Sequence, residues 1–127
     1  MSQEKDKNLK EKGYKKLIVW QKADELAYQV YIESKKLPRD EIYGIISQLR
    51  RAVLSISINL VEGSGRQGKK EFKQFVNIAL GSCAETEYLL GFCLKLGYLQ
   101  KESYDRLEFL RQNVGRLLWR FYLSFKV

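Results

Sequence analysis

The sequence of 127 residues has no histidine, one proline and only two cysteines. Without histidine it lacks the usual general base for serine or cysteine nucleophiles and the commonest nitrogen ligand for metals. Cys83 and Cys93 lie in one expected helix, about 15 Å apart along its axis, which is too far for a disulfide bond between them. We therefore expect two small core residues in a reducing compartment, and no enzymatic activity, metal or cofactor. Only an unrecognised carboxylate or tyrosine site leaves room for an enzyme.

A long hydrophobic run is also missing. No stretch of about 18 apolar residues exists to cross a membrane, and the polar first residues do not form a signal peptide. We expect a cytoplasmic protein with no membrane association and no small-molecule substrate. The length fits one domain. Residues 1–13 are predicted to be a disordered basic tail, and residues 14–127 a single folded domain.

Negative charge is scarce. The chain has 23 Lys and Arg against 15 Asp and Glu, a net charge of +8. Residues 1–16 hold six lysines against three acids, residues 66–73 hold four cations against Glu71, and nothing acidic follows Glu108. This excess predicts an anionic partner, although a solvated surface would have the same composition.

Apolar residues at three- and four-residue steps predict four helices. The first should end before Pro38, Asp40 should cap the second, and Gly97 should end the third. The expected ranges are 18–36, 41–62, 69–96 and 101–125. Four helices joined by short connections predict an all-α, antiparallel, up-down-up-down four-helix bundle.

One segment of the second helix also fits a strand. In residues 53–60, VLSISINL, apolar side chains alternate with Ser55, Ser57 and Asn59, which is the pattern of a half-buried strand. A helix is favoured because no second strand-like run exists to pair with it. The core face of this helix is expected to be Ile42, Ile45, Leu49, Ala52, Ile56 and Leu60.

Apolar residues exceed what one bundle can bury. The fourth helix has a regular seam at Leu107, Leu110, Val114, Leu117 and Phe121. Other large apolar residues of the fourth helix fall off this seam, and together with Trp20 of the first helix we assign them to an oligomer interface: Trp20, Phe109, Trp119, Tyr122 and Leu123. Because Arg116 and Arg120 lie among them, this face indicates either a subunit interface or an aromatic and basic surface for nucleic acid.

A polar stripe runs along the second helix and meets two polar residues of the third. Its members are Gln48, Arg51, Ser55, Asn59, Glu62, Ser82 and Glu85. We expect Arg51 to pair with Glu85 and the Ser55 and Asn59 side chains to bond across, because polar groups between packed helices must find partners. A structural network that fixes helix register is favoured over a functional site.

The glycine-containing segment EGSGRQGKK, residues 62–70, superficially resembles a phosphate loop at a helix start. It follows a helix rather than a strand, and the GxxxxGK[ST] spacing is not met. A nucleotide site is therefore rejected. Its cations remain available for phosphate contacts that need only charge and exposure.

Several segments together resemble a known family. They are VWQKA at 19–23, SQLRRAVLSISINLVEGSGR at 47–66, FVNIALGSCAETEYLL at 75–90 and LGYL at 96–99. The sequence resembles the bacterial four-helix-bundle proteins encoded in intervening sequences of 23S ribosomal RNA genes. The resemblance covers about residues 14–125, with an Asn-x-x-Glu-Gly signature at Asn59, Glu62 and Gly63.

The resemblance implies a non-enzymatic bundle assembled into a ring, a homopentamer. It also implies similarity to the accessory protein of diversity-generating retroelements, a basic pentamer that binds nucleic acid. It supplies no catalytic residues.

We therefore expect a basic homo-oligomer that binds RNA or DNA as an RNA-associated accessory protein. The alternative is a protein-interaction scaffold with no direct nucleic-acid role. The residues expected to contact phosphates are Lys15, Lys16, Lys22, Arg50, Arg66, Lys69, Lys70, Lys73, Arg116 and Arg120.

Overall fold

The computed structural model describes residues 13–127, so residues 1–12 of the expected tail lie outside the described part of the chain. Within that part, four α-helices account for most residues and no strand occurs. Short 3-10 helices lie before the first helix and before the second. The α-helices are α1 (Ile18–Ser34), α2 (Ile45–Ser64), α3 (Lys69–Lys95) and α4 (Lys101–Ser124). The helical interpretation of the VLSISINL segment is therefore confirmed.

Each helix packs against two of the other three. α1 contacts α2 and α4, and α3 contacts the same two helices. This arrangement is a four-helix bundle around one shared core. The fully buried large side chains come from all four helices, and include Leu26, Ile56, Leu60, Leu90, Leu107 and Leu118. On α4 the expected seam is displaced slightly, since Leu118 is fully buried whereas Leu117 is only partly buried.

The start of α2 differs from the prediction. The helix begins at Ile45 after Gly44, and no side chain caps its first turn. Asp40 instead lies in the 3-10 helix Arg39–Glu41, and Ile42 is 47% exposed in the following turn. The expected cap at Asp40 and the expected core role of Ile42 were therefore wrong. The carboxylate of Glu41 lies over Gly44, where an added Cβ would be 2.6 Å from Glu41 Oε1, so a side chain at this position would displace that carboxylate.

The end of α3 agrees with the prediction. Gly97 has φ 79°, a left-handed conformation that glycine adopts readily. The Gly97 amide donates to the carbonyl of Leu94 and the Tyr98 amide to that of Cys93, at 3.0 and 2.9 Å. These two hydrogen bonds form a Schellman motif, which satisfies carbonyls that the helix end would otherwise leave unpaired.

A partly buried ion pair joins the end of α1 to the start of α4. Arg106 donates to Glu33 at 2.9 Å, and Lys36 lies 3.6 Å from the same carboxylate oxygen. Burial raises the pKa of Glu33, but hydrogen bonds from Ser103 and Arg106 and the nearby positive charges together bring it below its usual value of 4.5. The charged form of Glu33 therefore stabilises the fold at neutral pH, and this contribution is lost as the pH falls through the lowered pKa.

α2 and α3 pack closely around Gly63. Gly63 is buried near the end of α2, and an added Cβ would lie 2.7 Å from Phe72 Cδ1 and 2.9 Å from Phe75 Cβ. The Phe72 ring could turn, but Phe75 Cβ is fixed to the α3 backbone. Any side chain at position 63 would therefore push the two helices apart. This contact gives the glycine of the Asn-x-x-Glu-Gly signature a structural role.

We predict that Gly63→Ala destabilises the protein by about 1–3 kcal/mol, because the added methyl group overpacks the contact between the helices. Gly81→Ala is the matched control, since a Cβ at Gly81 in α3 would meet nothing within 4 Å. This control should stabilise the protein by about 0.5–1 kcal/mol, the usual gain for replacing a helical glycine. Urea unfolding followed by circular dichroism measures both, and equal effects would contradict the proposed contact.

Candidate nucleic-acid interface

A cleft lies between the first turns of α3 and the last turns of α4. Its volume is about 250 Å³, and its lining combines two lysines, two amide side chains and an aromatic ring without an Asp or Glu side chain. We call it the α3–α4 cleft, and its residues are Lys70, Lys73, Gln74, Asn77, Tyr122 and Val127. Two of the cations expected to contact phosphates are thus brought together with groups that hydrogen-bond or stack.

An aromatic pair continues this surface along α4. Lys73 Nζ lies 4.8 Å from the centre of the Tyr122 ring, and the Tyr122 ring stacks on Trp119 at 5.7 Å with an interplanar angle of 16°. Trp119 is 53% exposed, so one of its faces is open to solvent. An exposed ring beside positive charge suits the stacking of an unpaired base.

A shallower groove lies next to Trp119. It measures about 360 Å³ and is lined by Arg111, Gln112, Gly115, Arg116 and Trp119. Arg116 is exposed and donates to the side chain of Asn113. Arg111 differs because it is buried and forms a two-point contact with Glu108, with Nε and Nη2 each 3.0 Å from Oε2. Arg111 therefore faces a carboxylate of its own chain and is not a free phosphate ligand.

The Glu108–Arg111 pair was not anticipated from the sequence. Both residues are only 9% exposed, and Arg111 also approaches Glu87 of α3 at 3.5 Å. Burial lowers the pKa of Arg111, but the hydrogen bonds and charge of Glu108 raise it well above its ordinary value. The sequence feature that could have predicted this pair is the three-residue spacing of Glu108 and Arg111, which places their opposite charges together on the core side of α4.

The two cysteines are buried thiols. Burial raises the pKa of Cys83 in spite of its contact with Arg111, and burial raises the pKa of Cys93 to about 11. Both groups are thus mainly protonated at neutral pH and are poor nucleophiles. Cys83 Sγ lies 3.8 Å from the Arg111 carbonyl oxygen, where α3 approaches α4.

The remaining expected phosphate ligands are distributed over the surface. Arg66 lies over the Phe75 ring at 4.9 Å and is 4.0 Å from Glu62. Arg50 is partly buried elsewhere, beside Ser34. The others are exposed side chains near the chain start, the α2–α3 connection and the end of α4: Lys15, Lys16, Lys22, Lys69 and Arg120.

Three members of the expected polar network come together. Ser82 Oγ donates to Ser55 Oγ at 2.8 Å, and Asn59 Nδ2 donates to the carbonyl and hydroxyl oxygens of Ser55. The expected pair of Arg51 with Glu85 is not formed, since both side chains are exposed and no ion pair within 4 Å joins them. Gln48 and Glu62 are exposed as well. The bonded part of the network thus shrinks to a serine pair and an asparagine between α2 and α3.

The expected interface residues divide into two groups. Phe109, Trp119 and Leu123 are 63%, 53% and 59% exposed on α4. Trp20 and Tyr122 are half-buried and pack against the core, with Trp20 also in edge-on contact with Tyr14. The Trp20 indole nitrogen is buried and has no hydrogen-bond partner among residues 13–127.

Three further features concern metal sites, membrane spans and the glycine-containing connection in the part of the chain that the structure describes. No group of three or more metal-binding side chains occurs there. None of its helices is both long enough and apolar enough to span a bilayer. The glycine-containing connection follows α2 directly, and Gly68 precedes α3 without a side-chain cap.

These features define a basic four-helix bundle with an aromatic and cationic cleft between α3 and α4. The family model of the 23S rRNA-intervening sequence protein matches residues 15–120. The chain therefore belongs to this family.

A solved structure has the same fold. It is a crystal structure, at 1.70 Å resolution, of a protein with unknown function from the S23 ribosomal protein family of Bacteroides thetaiotaomicron. The likeness has a TM-score of 0.78 at 26% sequence identity, and it covers 84% of this chain and 96% of that one. Comparison with curated proteins finds no match.

We predict that Arg111→Met destabilises the protein by about 3–5 kcal/mol, because it leaves the Glu108 carboxylate buried without its partner. Combining it with Glu108→Leu should restore most of the lost stability, since an apolar pair replaces the ion pair. Arg116→Met, an exposed change on the same helix, should alter stability by less than about 0.5 kcal/mol. Thermal and urea unfolding of the three variants measure these differences. A mild effect of Arg111→Met alone would contradict the pairing.

Proposed function

We propose that this protein is a non-enzymatic, nucleic-acid-binding accessory protein, associated with RNA in the cytoplasm and acting as a basic homo-oligomer. The observation that carries the proposal is the α3–α4 cleft, whose lining offers cations, amides and an aromatic ring without an Asp or Glu side chain. The cations attract the phosphate backbone, and Trp119 and Tyr122 offer surfaces on which bases stack. The family description, which refers to ribosomal RNA, favours RNA as the natural partner.

An antiparallel up-down-up-down arrangement would gather further cations near this cleft. Contacts of the Phe72 ring with Phe121 and Phe125, at 5.3 and 5.2 Å, support it because they join the start of α3 to the end of α4. The Glu33–Arg106 pair likewise joins the end of α1 to the start of α4. In such a bundle the start of α1, the α2–α3 connection and the end of α4 share one end. We call this the basic end, and its cations are Lys15, Lys16, Arg66, Lys69, Lys70, Lys73, Arg120 and Lys126.

We expect the protein to bind a mixed-sequence single-stranded RNA with an affinity that falls steeply between about 50 and about 200 mM salt. Removing both cleft lysines with Lys70→Gln and Lys73→Gln should weaken binding and reduce the slope of log affinity against log salt by about 1.4, since about 0.7 is lost per phosphate contact on a single strand. Fluorescence anisotropy with labelled RNA measures both quantities.

The matched control removes two exposed lysines far from the cleft, with Lys95→Gln and Lys101→Gln. Lys95 lies about 37 Å from Lys70 along α3. The net charge changes equally in the two double variants, so the comparison separates position from total charge. The control also removes the exposed Lys101–Asp105 ion pair at 2.6 Å, which contributes only about 0.3–0.5 kcal/mol to stability. The proposal fails if the control loses as much affinity as the cleft variant, or if neither RNA nor DNA binds at about 50 mM salt.

A ring-forming oligomer is part of this proposal. A wide groove of about 630 Å³ between α1 and α2 has a mainly apolar lining with two acids and one lysine, and its residues include Asp24, Glu25, Tyr28, Ile32, Lys35 and Leu54. In a bundle where each helix touches two neighbours, this groove faces away from the α3–α4 side. The exposed α4 residues Phe109 and Leu123, with Arg116 between them, complement it in polarity and in charge. Two different complementary faces on one subunit join head to tail, which gives a ring when the rotation closes.

We predict an assembly of five 14.9 kDa subunits in solution, the homopentamer implied by the family resemblance. Phe109→Glu should reduce it to monomers, because the new carboxylate would replace an apolar contact and would face Asp24 and Glu25 in the groove of the next subunit. Tyr88→Glu is the matched control, since Tyr88 is an equally exposed aromatic residue, 67% against 63%, on α3. Light scattering coupled to size exclusion measures the mass. A wild-type monomer would contradict the ring.

A protein-interaction scaffold is the second candidate. Exposed aromatic residues away from the basic end favour it, namely Tyr43 at 96% exposure and the stacked pair of Tyr88 and Phe92. Affinity capture from nuclease-treated lysate separates the candidates. A specific protein that remains bound after nuclease treatment supports the scaffold, and loss of every partner supports nucleic-acid binding.

A further inference from the structure

A second cationic pocket lies where α1 leads into α2. It encloses about 330 Å³ and is lined by Ser34, Lys35, Leu37, Arg39, Ile42, Ile46 and Arg50. Three of these residues are cations and three are aliphatic. Of this set, only Arg50 was expected from the sequence to contact an anion.

Arg50 is held in a fixed orientation. Its Nε donates to Ser34 Oγ at 2.9 Å, and its guanidinium lies over the Tyr31 ring, 4.8 Å from the centre. Ser34 is only 2% exposed and in turn donates to the carbonyl of Tyr31 at 2.9 Å. The two terminal nitrogens of Arg50 make no hydrogen bond within residues 13–127, so a preorganised pair of donors remains available.

The pocket has no carboxylate to balance its charge. Glu33 precedes Ser34 in sequence but binds Arg106, and Glu41 accepts a hydrogen bond from Tyr98 at 2.8 Å. Asp40 is exposed and is not part of the lining. Among residues 13–127, Arg50 forms no ion pair within 4 Å. A partly buried, oriented arginine beside two further cations is therefore uncompensated, in contrast to Arg106 and Arg111, which each face a glutamate.

We infer that this pocket binds a phosphate monoester. Such a group carries a charge of about −1.5 to −2 at neutral pH and several acceptor oxygens, which suits a pocket lined by three cations better than the single charge of a diester does. The planar guanidinium of Arg50 can contact two phosphate oxygens at once. Leu37, Ile42 and Ile46 provide an apolar wall for the body that carries the phosphate. The ligand source is either the phosphorylated end of a strand or a free phosphate ester.

Titration calorimetry with adenosine 5′-monophosphate at low salt tests the inference directly and does not require the proposed RNA binding. Adenosine should not bind at the same concentrations. Arg50→Gln should weaken binding of the monophosphate at least about tenfold, the usual scale for a lost charge-assisted contact. Arg51→Gln, which removes the neighbouring exposed charge outside the pocket, should change it by less than about twofold.

A second variant guards against a folding defect in Arg50→Gln. Lys35 and Arg39 are exposed, so Lys35→Gln with Arg39→Gln should keep the fold, checked by circular dichroism, and still weaken binding about tenfold.

Comparing 5′-phosphorylated with unphosphorylated RNA of one sequence then assigns the source of the phosphate monoester. An Arg50-dependent preference for the phosphorylated strand supports a strand end, and no preference supports a free ester. The inference is overturned if adenosine monophosphate does not bind, if adenosine binds equally, or if Arg51→Gln weakens binding as much as Arg50→Gln.

Discussion

The structure depends on how closely α2 can approach α3 at Gly63. The absence of a side chain there lets the α2 backbone lie against Phe72 and Phe75, and Phe72 in turn contacts the aromatic residues at the end of α4. One backbone contact thus sets the spacing of three helices at the same place. Because α3 begins only a few residues later, the contact also places Lys70 and Lys73 at the edge of the α4 aromatic residues. The candidate nucleic-acid surface is therefore a consequence of the helix packing beneath it.

Much of the fold follows from the sequence because it depends on local periodicity. Helix positions were predicted to within two residues except at the start of α2, and the Gly97 cap was predicted from the left-handed conformation that glycine permits. The failure at Asp40 and Ile42 has a tertiary cause, since the turn before α2 is shaped by Glu41, Gly44 and a hydrogen bond from the distant Tyr98. A residue 57 positions away leaves no local pattern in the turn.

The candidate site was harder to predict than the fold, because whether a cation can bind an anion depends on whether a carboxylate of the same chain already pairs with it. Ten cations were predicted to contact phosphates without knowledge of their partners, and the pairing of Arg111 with Glu108 and of Arg106 with Glu33 was not anticipated. The cations left without carboxylates are those free to attract an anion. The expected Arg51–Glu85 pair failed for a related reason. Arg51 lies on α2 and Glu85 on α3, but the polar contact between these helices is made by the hydroxyls of Ser55 and Ser82. The side chains of Arg51 and Glu85 both remain exposed to solvent.

Arg50 and Arg51 show most directly that the role of a cation depends on its surroundings in the fold. They are adjacent in sequence and identical in type, but a step of one residue on a helix rotates the side chain by about 100°. That rotation turns Arg50 toward Ser34, where a buried hydroxyl and the Tyr31 ring fix its guanidinium, and leaves Arg51 exposed. Both residues contribute equally to the composition and the net charge. The direction in which each side chain leaves the helix, together with the position of α1, makes Arg50 an oriented anion ligand and Arg51 a solvent-exposed charge. The specificity of this basic chain for an anion therefore depends on how its cations are packed and not on the size of its net charge.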